Sequence, residues 1–173
     1  HLQSRELYWP RGKVMGGSSS VNAMVYARGM RADYDHWSQM GATGWDFDSV
    51  LPYFLKAEDN QRGADEFHAV GGPLSVSDTP DPNPLSQAFV EAGGQNQVPV
   101  STDFNRANDQ EGIGLYQTTT RSGLRASAAK SYLSAEVQQR PNLSILTAKQ
   151  VQRVTFEGRR ATGVALADQT IYA

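Results

Sequence analysis

The sequence predicts a mixed α and β fold. Three features carry that expectation: a run of apolar residues at helical spacing near residues 47–55, a pair of C-terminal strand candidates joined at Glu157-Gly158-Arg159, and a Gly, Asp, Asn and Pro-rich band at 60–84 that reads as a change of layer. Length and composition set the scale. The chain has 173 residues, 39% of them hydrophobic and 20% charged, as in an ordinary globular domain or one large piece of a bigger one.

Along the chain, Tyr34 and Trp37 stand at i and i+3 and predict a short helix over 32–40, broken by Gly41 and Gly44. In the next helix Phe47, Val50, Leu51, Phe54 and Leu55 share one face. Pro52 is tolerated best near a first turn, so Asp48 or Ser49 is the expected cap and the helix should run to about Asp59. A short strand is expected at Leu74-Ser75-Val76-Ser77. A further helix should start at Leu85, with Leu85, Ala88, Phe89 and Ala92 on one face and Gly93-Gly94 as its stop. Residues 98–114 read as a long loop, and 115–121 as a strand. Ser127 can cap a helix through Leu133; strands are then expected at 143–147, 150–157 and 160–167.

The net charge of −2 excludes an overall basic footprint for nucleic acid or an anionic membrane, which leaves a small molecule as the expected partner. With no cysteine there is no disulfide, zinc-thiolate site or cysteine nucleophile. No signal peptide or membrane-length apolar run is visible, so a cytoplasmic location is expected. The chain opens HLQSRELYWP without an initiator methionine and ends ADQTIYA as if within a strand, so both ends are expected to be cut.

The stretch GKVMGGSSSVN, residues 12–22, concentrates bare backbone at one point. Adjacent glycines let successive N–H groups converge on an anion such as pyrophosphate, and an ordinary tight turn fits the same residues. The sharper nucleotide signatures fail. Val14 follows Lys13 where a P-loop needs Ser or Thr, and Gln117 stands where the third glycine after Gly112-Ile113-Gly114 would be.

The string from Trp9 to Gly29, WPRGKVMGGSSSVNAMVYARG, followed by Asp33-Tyr34-Asp35-His36-Trp37, resembles the first signature of the glucose-methanol-choline (GMC) oxidoreductases, most closely their choline dehydrogenase and alcohol dehydrogenase branch. The resemblance continues through Gly44-Trp45, Leu51-Pro52-Tyr53-Phe54, Gly72-Pro73-Leu74, Gln110-Glu111-Gly112, Arg125-Ala126-Ser127 and Arg140-Pro141-Asn142-Leu143. It implies part of an FAD-binding domain with part of an antiparallel substrate-domain sheet, divided as 1–63 (FAD-contacting), 64–122 (substrate) and 123–173 (return to the FAD domain).

It also implies FAD contacts at Gly12, Lys13, Val14, Met15, Gly16, Gly17, Ser18, Asn22, Ala23, Met24, Val25 and, from a later strand, Val151. Relatives with covalent flavin carry histidine before the asparagine. Val21 stands there, so the flavin is expected to be non-covalent. The implied reaction of the full-length parent is oxidation of an alcohol to an aldehyde, with a histidine taking the alcohol proton and hydride passing to flavin N5. The dinucleotide fingerprint and that histidine belong to regions outside these residues, and oxygen and quinone are not distinguished as acceptor. A non-catalytic nucleotide-binding module and a lyase that keeps FAD are the alternatives.

No catalytic or metal-binding residue is expected within the chain. His1, His36 and His68 are isolated, and the three serines lack a nucleophile-elbow context. His68 lies in a turn before Gly71-Gly72-Pro73 and is not expected to be a base. Glu58, Asp59, Asp65 and Glu66 are expected to be solvated, and Tyr26, Trp37, Trp45, Tyr53 and Phe54 to be core.

Overall fold

The structure, a computed structural model, describes residues 3–106 and 110–172, so His1 and part of the expected 98–114 loop lie outside the described residues. It divides into two compact units, one running to Ser134 and the other starting at Ala135. Among the described residues no helix is long and apolar enough to cross a membrane.

In the first unit a 3-10 turn, Gly17–Ser20, is followed by α1 (Arg31–Gln39) and α2 (Phe47–Ala57). The Asp33 carboxylate accepts the Met30 N–H at 2.8 Å, which closes the start of α1. The cap of α2 is Asp46 rather than Asp48 or Ser49: its side chain accepts both the Ser49 N–H (3.0 Å) and the Ser49 hydroxyl (2.8 Å). Asp48 is occupied elsewhere, paired bidentately with Arg31 at 2.8 and 2.9 Å, and Pro52 consequently sits inside the helix.

Tyr34 and Phe47 form the buried cluster between these helices, with Val50, Leu51, Phe54 and Phe67 against it. The other aromatics correct the expectation. Trp37, Trp45 and Tyr53 are exposed, Tyr53 by 73%, although Trp37 meets Tyr34 edge-on at 5.4 Å.

Helix α2 ends at Ala57 because the chain turns at once into β1 (Glu58–Asn60), which pairs in parallel with β2 (Leu74–Val76). Nothing in Glu-Asp-Asn resembles a strand; the two inward residues, Glu58 and Asn60, are both polar and both buried. Helix α3 (Pro84–Gln95) is capped by Asn83 and starts on Pro84. It runs through Gly93-Gly94 instead of stopping there. A Cβ on Gly93 would lie 2.7 Å from Ile113 Cδ1, so this glycine serves close packing against the 98–114 segment. The expected apolar face of α3 is not buried: Leu85 and Phe89 are exposed.

Of the strand expected at 115–121 only β3 (Thr120–Arg121) pairs regularly, with β4 (Leu124–Arg125), while Thr118 makes single bridges to Val25 and Ser77. Helix α4 (Ala128–Tyr132) follows its predicted cap, Ser127.

The second unit holds a one-turn helix, α5 (Ala135–Gln138), and an antiparallel meander of β5 (Arg153–Glu157), β6 (Arg160–Ala165) and β7 (Thr170–Tyr172). Gly158, at φ 59°, makes the expected hairpin turn. The expected strand at 143–147 does not form, because these residues find no neighbouring strand among the described ones. Strand β5 starts at Arg153 rather than Gln150.

Phe47 is 1% exposed, with its ring 6.1 Å from Tyr34 and 4.4 Å from the Arg31 guanidinium. Phe47→Ala is therefore expected to cost about 3–5 kcal/mol in urea unfolding. A loss under about 1 kcal/mol would show that this cluster does not hold α1 and α2 together.

Candidate functional site

The glycine-serine loop is tied into a closed knot by its own hydroxyls. Gly12 N–H donates to Ser18 Oγ (3.2 Å), Ser19 Oγ to Gly16 O (2.5 Å), Ser20 Oγ to Met15 O (2.7 Å) and Gly17 N–H to Val14 O (2.8 Å). Bare backbone is required where the strands of this knot cross: a Cβ on Gly12 would lie 2.3 Å from Gly17 O. Gly16 and Gly17 take φ of 87° and 57°, where a side chain is strained. On its outer side Gly17 is open, with no atom within 4 Å of where a Cβ would stand.

Two long-range anchors hold the knot. Ala128 N–H, at the start of α4, donates to Ser19 Oγ at 2.8 Å. Arg125 Nη1 donates to Ser19 O (3.1 Å), Asn22 O (2.8 Å) and Asn22 Oδ1 (2.7 Å). The same Asn22 oxygen accepts Met24 N–H at 3.1 Å, and Met24 sits at φ 63°. Beyond it, Thr119 N–H donates to Met24 O and Tyr26 N–H to Gln117 O. The structure thus brings together Gly12, Lys13, Val14, Met15, Gly16, Gly17, Ser18, Asn22, Ala23, Met24 and Val25 on one continuous segment. Val14, Met15, Val21 and Val25 are exposed on it. Val151 belongs to the second unit, precedes β5 and is 46% exposed.

The far end of this segment enters a buried ionic network. Arg28 donates to Glu58 Oε2 at 3.0 Å and to Phe67 O at 2.6 Å, and its N–H donates to Asn105 Oδ1 at 2.8 Å. Glu58, expected to be solvated, is fully buried because four donors meet its carboxylate: Arg28, His68, Asn60 Nδ2 and the Ala69 N–H. His68 lies between two carboxylates, Nδ1 3.0 Å from Glu58 and Nε2 2.8 Å from Asp103.

The hydrogen bond to Asp103, then that to Glu58, push the His68 pKa up to about 9. Burial alone would raise Asp103, but the His68 and Asn105 hydrogen bonds outweigh it and hold it down to about 2. Burial likewise opposes the Glu58 charge, and the bonds from His68, Ala69 and Asn60 and the charge of Arg28 together keep its pKa below the usual range. With both ring N–H groups committed, His68 has no lone pair to take a proton from a substrate. Asn60 and Gln117 exchange paired amide bonds at 3.0 and 3.1 Å and link the network back to Tyr26 through the Gln117 carbonyl.

Residues 1–171 match the model of the GMC oxidoreductase family. The chain belongs to that family. Among GMC relatives it is 45% identical to an alcohol dehydrogenase (acceptor) of Pseudomonas putida, over 99% of this chain and 31% of that protein. It is also 45% identical to an oxygen-dependent choline dehydrogenase of Brucella melitensis, over 96% of this chain and 30% of that one. Of solved structures, pyridoxine 4-oxidase from Mesorbium loti superposes with a TM-score of 0.82 at 36% identity, over 91% of this chain and 31% of the other. An FAD-dependent oxidoreductase from Chaetomium thermophilum gives 0.79 at 28% identity, over 94% and 31%. The chain thus spans about a third of the length of the GMC proteins it matches, with their mixture of helices and small sheets.

Residue patterns missed the roles of Ser19, Ser20, Arg125 and Glu58. The serines could have been suspected, since hydroxyls beside glycines commonly bond back to nearby backbone. Arg125 and Glu58 act over 103 and 30 residues respectively, a separation that no local pattern encodes.

The network sets a pH dependence of stability. His68 gains its proton's partners on folding, so its contribution is complete below pH 6.5 and lost as pH rises through about 9, amounting to about 3 kcal/mol. Asp103 and Glu58 act oppositely: the Asp103 contribution is lost as pH falls through about 2, and that of Glu58, complete above about pH 4.5, is likewise lost on acidification. Urea midpoints should therefore peak between about pH 4.5 and 6.5. His68→Gln should flatten the alkaline slope, and an unchanged slope in that variant would contradict the assignment.

Proposed function

We propose that the complete protein oxidises a primary alcohol, choline-like or other, to an aldehyde with FAD, and that residues 12–25 are its cofactor-holding loop. The observation that carries this is the knot itself: a rigid, crossing backbone with one glycine side left open and apolar side chains exposed beside it. Those features fit the two halves of FAD. A pyrophosphate suits close backbone approach at Gly12 to Ser18, and a flat ring suits an apolar surface at Val14, Met15 and Val25. Lys13 adds a positive charge at the phosphate end.

When bound, FAD supplies the hydride acceptor, flavin N5, for the alcohol carbon. The chain's own residues bind and orient it. Gly17 leaves its outer side open to the phosphates while Gly16 packs against Ser20 and Ala129, Asn22 and Ala23 face the cofactor, and the Met24 to Tyr26 backbone is fixed by Gln117 and Thr119. Val21, 61% exposed and without a nucleophilic atom, leaves the flavin non-covalent. The anchors Arg125 and Ala128 support assigning 123–134 to the same FAD-binding domain as 1–63, the family resemblance alone extends that assignment to 135–173, and 64–122 serves the substrate. Val151 is carried as an adenine contact by the family resemblance alone. The names of the relatives, an alcohol dehydrogenase and a choline dehydrogenase, support the alcohol class.

The complete protein should purify yellow, release its flavin into the supernatant on acid precipitation, and lose its flavin absorbance when a primary alcohol is added without oxygen. A colourless protein that takes up no FAD would overturn the reading, and flavin retained in the precipitate would overturn the non-covalent link. Gly17→Ala places a methyl group on the open side of the loop. It should weaken FAD binding about tenfold while lowering apo-protein stability by only about 1 kcal/mol.

A further inference from the structure

We infer that Arg125 is a positioning residue that fixes which way the Asn22 amide faces, and thereby which hydrogen-bonding atom the loop offers to the flavin; this rests on residues 12–25 being the cofactor loop. Two groups meet the same side-chain atom of Asn22: Arg125 Nη1 at 2.7 Å and Met24 N–H at 3.1 Å. A guanidinium and a backbone amide can only donate, so that atom must be the oxygen. The Asn22 NH2 group is then directed away from both. Asn22 is exposed, and among the described residues its Nδ2 donates to no protein acceptor. The loop thus carries an exposed amide donor at Asn22.

The same guanidinium nitrogen also reaches Ser19 O, within the 3-10 turn, and Asn22 O, two residues past its end. Carbonyls left without partners at a helical end are satisfied by a cation placed there. One side chain thus ties the 3-10 turn to the Asn22 segment that follows it. A lysine would supply the charge, but its side chain ends one bond short of the position that Nη1 takes.

The test uses the complete protein with Arg125→Met, Arg125→Lys and Asn22→Asp, read by amide hydrogen exchange of residues 16–24 in the apo-protein, by FAD affinity and by the reduction potential of bound flavin. Arg125→Met should speed loop exchange and weaken FAD binding, each about tenfold to a hundredfold, and lower the flavin potential by removing the directed donor. Arg125→Lys should restore most of the exchange protection and little of the potential. Asn22→Asp keeps an oxygen for both donors, so it should leave exchange unchanged yet lower the potential by placing an acceptor where the NH2 stood.

Unchanged loop exchange in Arg125→Met would overturn the proposal, as would a wild-type potential in its FAD-loaded form or in Asn22→Asp. A wild-type protein that takes up no FAD would overturn the cofactor reading instead. In that case the exchange result in Arg125→Met still decides whether Arg125 holds the loop.

Discussion

A single carboxylate without access to water, that of Glu58, is the constraint on which the first unit depends. Taking one ion out of water costs several kcal/mol, and the cost is offset only when every lone pair finds a donor. Glu58 finds four: Arg28 from the segment that leaves the glycine knot, Asn60 from its own strand, and His68 with the Ala69 N–H from one turn. His68 extends the arrangement to Asp103, and Asn60 extends it to Gln117. The expected loop at 98–114 and the turn around His68 are thereby held against the segment that leaves the glycine knot. Removing one donor would leave an uncompensated buried charge rather than merely one missing bond, so the parts of this network are energetically inseparable.

The knot is organised by a different principle. Its backbone crosses itself so closely that side chains are excluded, and its serines serve as hydrogen-bonding clips rather than as nucleophiles. Glycine-rich chain is entropically costly to order. Here that cost is met within the loop and by Arg125 and α4, before any ligand arrives. A ligand would then meet a loop already held by these bonds, and ordering a segment before binding lowers the cost of binding.

Elements whose cause is local were legible in the sequence. The periodic face of α2, the Ser127 cap of α4 and the Gly158 hairpin each follow from residues within a few positions of one another. Elements whose cause is distant were not. Strand β1 is Glu-Asp-Asn, a poor strand by any propensity, and it forms because its inward positions feed the Glu58 network. Gly93-Gly94 looked like a stop and is instead a packing site for Ile113 and Val100. The 143–147 run has strand composition and no strand beside it among the described residues. For the candidate site, the sequence singles out residues 12–25 as a glycine-serine segment, and the structure shows what holds that segment in place. Its supports were not legible, since Arg125 and Gln117 reach it from about a hundred residues away.

These two principles leave the first unit with its polarity partly inverted. Much of what is buried is ionic or amide, as in Arg28, Glu58, Asn60, His68, Asn105 and Gln117, whereas apolar side chains of the loop face outward at Val14, Met15, Val21 and Val25. Ionic burial specifies an arrangement but contributes little net stability, because desolvation offsets most of the attraction. Apolar burial is the term that would add stability, and on the loop it is still unrealised. A ligand with a flat apolar ring and a charged phosphate end would supply both missing pieces at once, covering the exposed valines and filling the open glycine side. Ligand occupancy and fold stability are then one linked quantity, since whatever binds only the folded loop stabilises it by mass action.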